Sequence, residues 1–138
     1  MSLFCIDTSA WHHSSRPEVA GIWRRHLERD ELAICDQVRL EILYSAQSAG
    51  DYDALGEELA GLRPLSTEPS AFARALEVQR RLAHRGGLHH RSVKIADLVI
   101  AAVAESSGAT ILHYDADYDR ISAITGQATQ WIVARGSL

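Results

Sequence analysis

Asp7, Glu41, Asp97 and Asp115 are the residues whose type and placement could do chemistry. Asp7 ends the apolar run LFCI and Asp115 follows ATILHY. Asp97 opens the apolar stretch IADLVIAAVAE, and Glu41 sits between Leu40 and Ile42 in VRLEILYSA, which reads as a buried helix. Taken singly, each acid has a structural alternative. Asp7 and Asp97 make good helix N-caps, a role worth about 1 kcal/mol. Asp115 suits a turn, and Glu41 suits an exposed stripe or an ion pair with Arg39. Taken together they pose a problem. Converging carboxylates repel one another and raise one another's pKa, and an ionised acid withdrawn from water costs several kcal/mol unless paired. Divalent ions resolve it. Mg²⁺ and Mn²⁺ prefer oxygen ligands, and Mg²⁺ keeps waters that leave room for a phosphate oxygen and an attacking water. The expected chemistry is metal-assisted hydrolysis of a phosphate ester.

The elements that must position these acids follow from hydrophobic patterning. Short apolar runs at LFCI, LAIC (32–35), ATILHY and TQWIV predict strands, with a further short strand in LRPLST. Val19, Ile22, Trp23, His26 and Leu27 predict a helix over 17–29, opened by Pro17. Asp36 is a candidate cap for the helix that carries Glu41, and Leu55, Leu59 and Leu62 mark another that Pro64 closes. Phe72, Ala75, Leu76, Gln79, Leu82 and Ala83 predict an apolar face on a helix over 69–85, and the nearly all-apolar helix from Ile95 must be covered on two sides. Strands and helices alternate throughout, which predicts an α/β fold with a mainly parallel sheet and right-handed crossovers. In such sheets ligands sit beyond the carboxyl ends of the strands, where Asp7 and Asp115 fall.

The chain of 138 residues, 46% of them hydrophobic, is the size of a single domain spanning 1–138. The apolar N-terminal run is far too short for a signal peptide or a membrane span, so a cytoplasmic protein is expected. Cys5 and Cys35 lie in predicted strands and read as buried reduced thiols. A net charge of −4 and a pI near 5.9 exclude a binder of polyanions that works through overall positive field, so any nucleic-acid contact must be local. The pairs His12-His13 and His89-His90 lack the i, i+4 spacing of a helical zinc site.

IDTSAW at the start, Glu41 in RLEIL, IADLVIAAVAE around Asp97 and ILHYDADYDRI around Asp115 and Asp117 give the chain a resemblance, over nearly its full length, to the PIN-domain ribonucleases, and within them to VapC-type toxins. The resemblance implies a three-layer fold with about five strands and helices on both faces. It further implies a Mg²⁺- or Mn²⁺-dependent endoribonuclease that cuts single-stranded or loop RNA. Attack by a metal-activated water, leaving 5′-phosphate and 3′-hydroxyl ends, is expected because no histidine pair is placed for the 2′-hydroxyl route. Asp7, Glu41, Asp97 and Asp115 become the catalytic and metal-binding quartet, with Asp117 a further metal ligand. Ser9 would hydrogen-bond an acid or a water ligand, or cap a helix. Where many PIN domains carry threonine or serine, this chain has His113, which either steers Asp115, touches RNA or packs within its strand; packing is the favoured reading.

On the same resemblance, Arg85, Arg91 and Lys94 in and beside HRGGLHHRSVK are candidate RNA contacts, against a plain solvated loop. Arg39 would touch phosphate or hold the acids when no metal is bound. The implied partners are a VapB-like antitoxin and a second copy of the chain, with no membrane. Trp11, Trp23 and Tyr44 are candidates for an exposed interface, although each suits the core better. Two rivals use the same acids: a small metal-dependent phosphoesterase, which would not need the basic loop, and a non-catalytic module that holds an ion for structure.

Overall fold

In the computed structural model, which describes residues 2–138, three-residue and four-residue apolar runs form the centre of the molecule. β1 (Phe4–Ile6) is flanked by β2 (Leu32–Cys35) and β4 (Thr110–His113), with β3 (Arg63–Leu65) and β5 (Thr129–Trp131) at the edges. The order is β3-β2-β1-β4-β5, and every pair is parallel. The expectation of a mainly parallel sheet is thus met by a wholly parallel one. Pro64 lies in edge strand β3, where a missing N–H does least harm.

The connections are α1 (Thr8–His13), α2 (Pro17–Glu28), α3 (Asp36–Tyr44), α4 (Ala49–Leu59), α5 (Pro69–His84), α6 (Ile95–Ser106) and α7 (Asp117–Thr125). A single turn of 3₁₀ helix, His89–Arg91, precedes α6. From β1 the chain runs outward through β2 to β3, then crosses back to β4 on the other side of β1. Right-handed crossovers therefore place α1–α4 on one face and α5–α7 on the other. The point where the direction reverses, between β1 and β4, is where a parallel sheet opens a cleft for ligands.

α6 is buried over Asp97–Ala104, as expected of a helix covered on two sides. α5 departs from its predicted face. Its buried residues are Ala71, Ala75, Val78 and Leu82, whereas Phe72 and Leu76 are exposed. They line an open apolar groove with Ile95, Leu98 and Val99 of α6. VRLEILYSA is likewise only half buried: Val38 and Ile42 face the core, while Leu40 and Tyr44 face out, Tyr44 being 91% exposed. Of the three aromatic candidates for an interface, Trp23 is core, Trp11 is partly buried against it, and Tyr44 is the exposed one. Asp36 does not cap α3 as expected; it is the first helical residue, and Cys35 holds the cap position without a side-chain bond. Cys5 and Cys35 are buried free thiols. Among the described residues, no helix is long and apolar enough to cross a membrane.

Candidate active site

The register of the central strands sets two acids side by side. Ile6 pairs with Leu112, and the Asp7 N–H continues the ladder to the Leu112 carbonyl at 2.9 Å. Asp7 therefore leaves the sheet beside the end of β4, where Asp115 follows. Asp7 is also the N-cap of α1, accepting from the Ser9 N–H at 3.0 Å and the Ser9 hydroxyl at 2.5 Å. Capping and a place at the sheet edge coincide in one residue. The Ser9 oxygen in turn accepts the Tyr114 N–H at 2.8 Å, which fastens the start of α1 to the end of β4.

Asp97 lies in the first turn of α6 and does not cap it. Asp115 accepts the Asp117 N–H at 2.9 Å, a local turn that opens α7. Carboxylate oxygens of Asp97, Asp115 and Asp117 lie within 4.8 Å of one another. Among them sits the Lys94 ammonium, 2.7 Å from Asp115 Oδ2, 3.1 Å from Asp117 Oδ2 and 3.4 Å from Asp97 Oδ2. Asp117 is held twice more, by the Lys94 N–H at 3.0 Å and by Arg120 at 3.0 Å. Asp7 joins this trio through Tyr118, whose buried hydroxyl lies 2.6 Å from Asp7 Oδ1 and 3.3 Å from Asp97 Oδ1.

Glu41 stands outside the trio and is linked to Asp7 by the neighbouring residue. Thr8 donates to it at 2.7 Å and Gln37 at 3.1 Å. These two bonds, with partial exposure, are what the carboxylate has in place of an arginine partner. Arg39 points away, lining a surface depression with Asp53 and Glu57 of α4. Arg85 donates to the Ala123 carbonyl at 3.2 Å, Arg91 lies on the exposed 3₁₀ turn, and of the four basic candidates Lys94 alone makes an ion pair with the acids.

Burial first, then contact with Asp117 and the charge of Asp7, raise the pKa of Asp97 to about 8. Burial pushes Asp117 the same way, but its contacts with Asp97 and with the Lys94 N–H and ammonium outweigh it and hold Asp117 below the usual range. For Lys94, burial works against the charge, and the bonds to Asp115 and Asp117 overcome it, so its pKa is raised. His113 is fully buried, its ring 5.0 Å from that of Tyr118 and 4.9 Å from that of Trp131. It is a packed strand histidine that also steers Asp115, for its Nδ1 accepts the Asp115 N–H at 3.1 Å. Burial lowers its pKa, so the ring is neutral and carries its proton on the unpartnered Nε2.

Tyr118, Thr8, Gln37 and Arg120 were not singled out by sequence reasoning. Gln37 had a signal, four residues before Glu41 on one helix face. Tyr118 had none, because its partners lie 111 and 21 residues away.

The site suits a hard cation. Its donors are all carboxylate oxygens, a positive group already lies among three of them, and Asp97 Oδ2 is buried with no hydrogen-bond partner. A parallel sheet of this order, with acids gathered where its crossovers diverge, is the PIN-domain arrangement, and the chain belongs to the PIN domain family, whose profile matches residues 4–124. It is 64% identical over 136 residues to Ribonuclease VapC18 of Mycobacterium tuberculosis, covering 99% of each chain. It is 41% identical to Ribonuclease VapC21 of the same species, covering 97% of this chain and 96% of the relative. The fold matches a chain of DNA-bound VapBC from Salmonella typhimurium with a TM-score of 0.77 at 20% identity, covering 96% of this chain and all of the other.

Proposed function

We propose that this chain is a metal-dependent endoribonuclease of the VapC type, the toxin of a toxin–antitoxin pair, and that residues 1–138 act as one such domain. The observation that carries the reading is the Lys94 ammonium among Asp97, Asp115 and Asp117 at the sheet's switch point in a chain so similar to VapC18. Asp7, Glu41, Asp97, Asp115 and Asp117 would hold Mg²⁺ or Mn²⁺. When bound, such an ion activates water and neutralises charge developing on the phosphate.

The protein's own groups prepare that site. Ser9 and the Asp7 N–H fix Asp7 at the end of β1, while Thr8 and Gln37 hold Glu41 beside it. His113 sets the backbone at Asp115, and Arg120 holds Asp117. The Lys94 side chain is 64% exposed, so it is free to leave the acids and meet a phosphate at the mouth. Arg91 and Arg85 extend a basic track from it over the 3₁₀ turn and the end of α5. The proposed partners are RNA, a VapB-like antitoxin and a second toxin copy.

Expression in bacteria beside an Asp7→Asn version tests the reading. Asparagine caps helices as well as aspartate does, so the fold is kept while a charge is lost. Growth arrest by the first chain alone, with chelator-sensitive cutting of structured RNA in vitro to 5′-phosphate ends, is expected. Equal growth and no cleavage with Mg²⁺ or Mn²⁺ overturns it.

A further inference from the structure

The buried hydroxyl of Tyr118 touches acids from two separate parts of the chain, Asp7 and Asp97. Tyr118, in the first turn of α7, has no solvent exposure. Its ring packs on His113, and its hydroxyl lies 2.6 Å from Asp7 Oδ1 and 3.3 Å from Asp97 Oδ1. The remaining oxygens of the two acids have different fates. Asp7 Oδ2 is taken by Ser9, whereas Asp97 Oδ2 accepts no hydrogen bond and faces the Lys94 ammonium.

We propose that Tyr118 is a positioning residue of the site: its hydroxyl ties the Oδ1 atoms of Asp7 and Asp97 together and so leaves Asp97 Oδ2 turned toward the cation. The proposal rests on the reading of these acids as a divalent-cation site. A carboxylate on a short side chain turns readily about its last bond, and Asp7 and Asp97 both have that freedom. A rigid ring locked by packing restrains both, its one hydroxyl proton given chiefly to Asp7 Oδ1 at 2.6 Å while the same oxygen stays 3.3 Å from Asp97 Oδ1. A buried hydroxyl without a partner is costly, and a phenylalanine would fill the same space without that demand. The hydroxyl is therefore the informative atom.

The test compares Tyr118→Phe with wild type, and with Ile121→Val as a control that loosens the same buried helix. Free Mn²⁺ is counted by electron paramagnetic resonance at a temperature where all three are folded. The expected result is Mn²⁺ affinity about tenfold weaker for Tyr118→Phe and unchanged for Ile121→Val, with 1.4 kcal/mol the equivalent of that factor. Equal Mn²⁺ affinity in Tyr118→Phe and wild type overturns the role of Tyr118 while leaving the metal site standing. Failure of wild type itself to bind Mn²⁺ overturns both. Should Tyr118→Phe not fold, the Cζ resonance of Tyr118 in ¹³C-tyrosine wild type is followed while Mg²⁺ is added. Movement of that resonance together with saturation supports the proposal, and an unmoved resonance at saturation overturns it.

Discussion

Replacing Lys94 by methionine removes the ammonium from the acids and keeps most of the side chain's length. In the metal-free protein, carboxylate oxygens of Asp97, Asp115 and Asp117 within 4.8 Å then face one another with the Arg120 guanidinium on Asp117 as the remaining counter-charge. Two ionised carboxylates about 5 Å apart repel by about 3 kcal/mol at an effective dielectric of about 20. Two features soften this. Asp97 already keeps a proton up to about pH 8, and the Lys94 side chain is 64% exposed and screened by water. The net loss is about 1–2 kcal/mol, or about 3–8 °C in melting temperature for a domain of this size. A divalent ion reverses the sign. It no longer competes with a tethered cation, so Mg²⁺ affinity measured by calorimetry is expected to rise about tenfold in Lys94→Met, and saturating Mg²⁺ to restore the lost melting temperature. Turnover on RNA falls through KM, since the same ammonium is proposed to meet phosphate. Mg²⁺ affinity that drops or stays level in Lys94→Met would show that the ammonium does not occupy the cation's place, and the reasoning fails.

The other expectations concern the acids and the basic track. Because the folded state raises the Asp97 pKa to about 8 from an ordinary 3.8, the folded state binds the extra proton between those values. Stability of the metal-free protein from this group therefore declines as pH rises through that window, by at most about 1.4 kcal/mol per pH unit. Melting scans from pH 5 to 8 with a chelator should show the decline, and Asp97→Asn should flatten it. Asp117, held low, works oppositely and loses its contribution only as pH falls below the ordinary carboxylate range. Glu41→Gln keeps an acceptor for Thr8 and an amide within reach of Gln37, so chelated melting should shift by under about 0.5 kcal/mol. Mn²⁺ binding should nonetheless weaken, and unchanged affinity would remove Glu41 from the ligands. Arg85→Ala and Arg91→Ala should each raise KM for RNA and lower the salt slope by about 1, whereas Arg39→Ala, on the α4 side, should leave both unchanged.

What the amino-acid sequence determined by itself was the set of elements and the ends at which acids stand. An apolar run of β-length that stops at Asp7, another that stops before Asp115, and a helix apolar on all sides after Asp97 are local facts. They dictate a strand end, a strand end and a buried helix start wherever the pieces go. The tertiary structure alone decided what each side chain meets. Periodicity defines a face but not its partner, so the stripe of α5 was placed with Phe72 and Leu76 inward although both face out. Similarly, Arg39 was set beside Glu41 by sequence proximity, while the chain turns it toward α4 and brings Thr8 across 33 residues instead. Lys94 reaches the acids because its own helix start packs against the turn that opens α7, and Tyr118 reaches Asp7 because β1 and β4 are neighbours. Those meetings depend on strand order, which is set by the summed burial of distant segments and is written in no single stretch of residues.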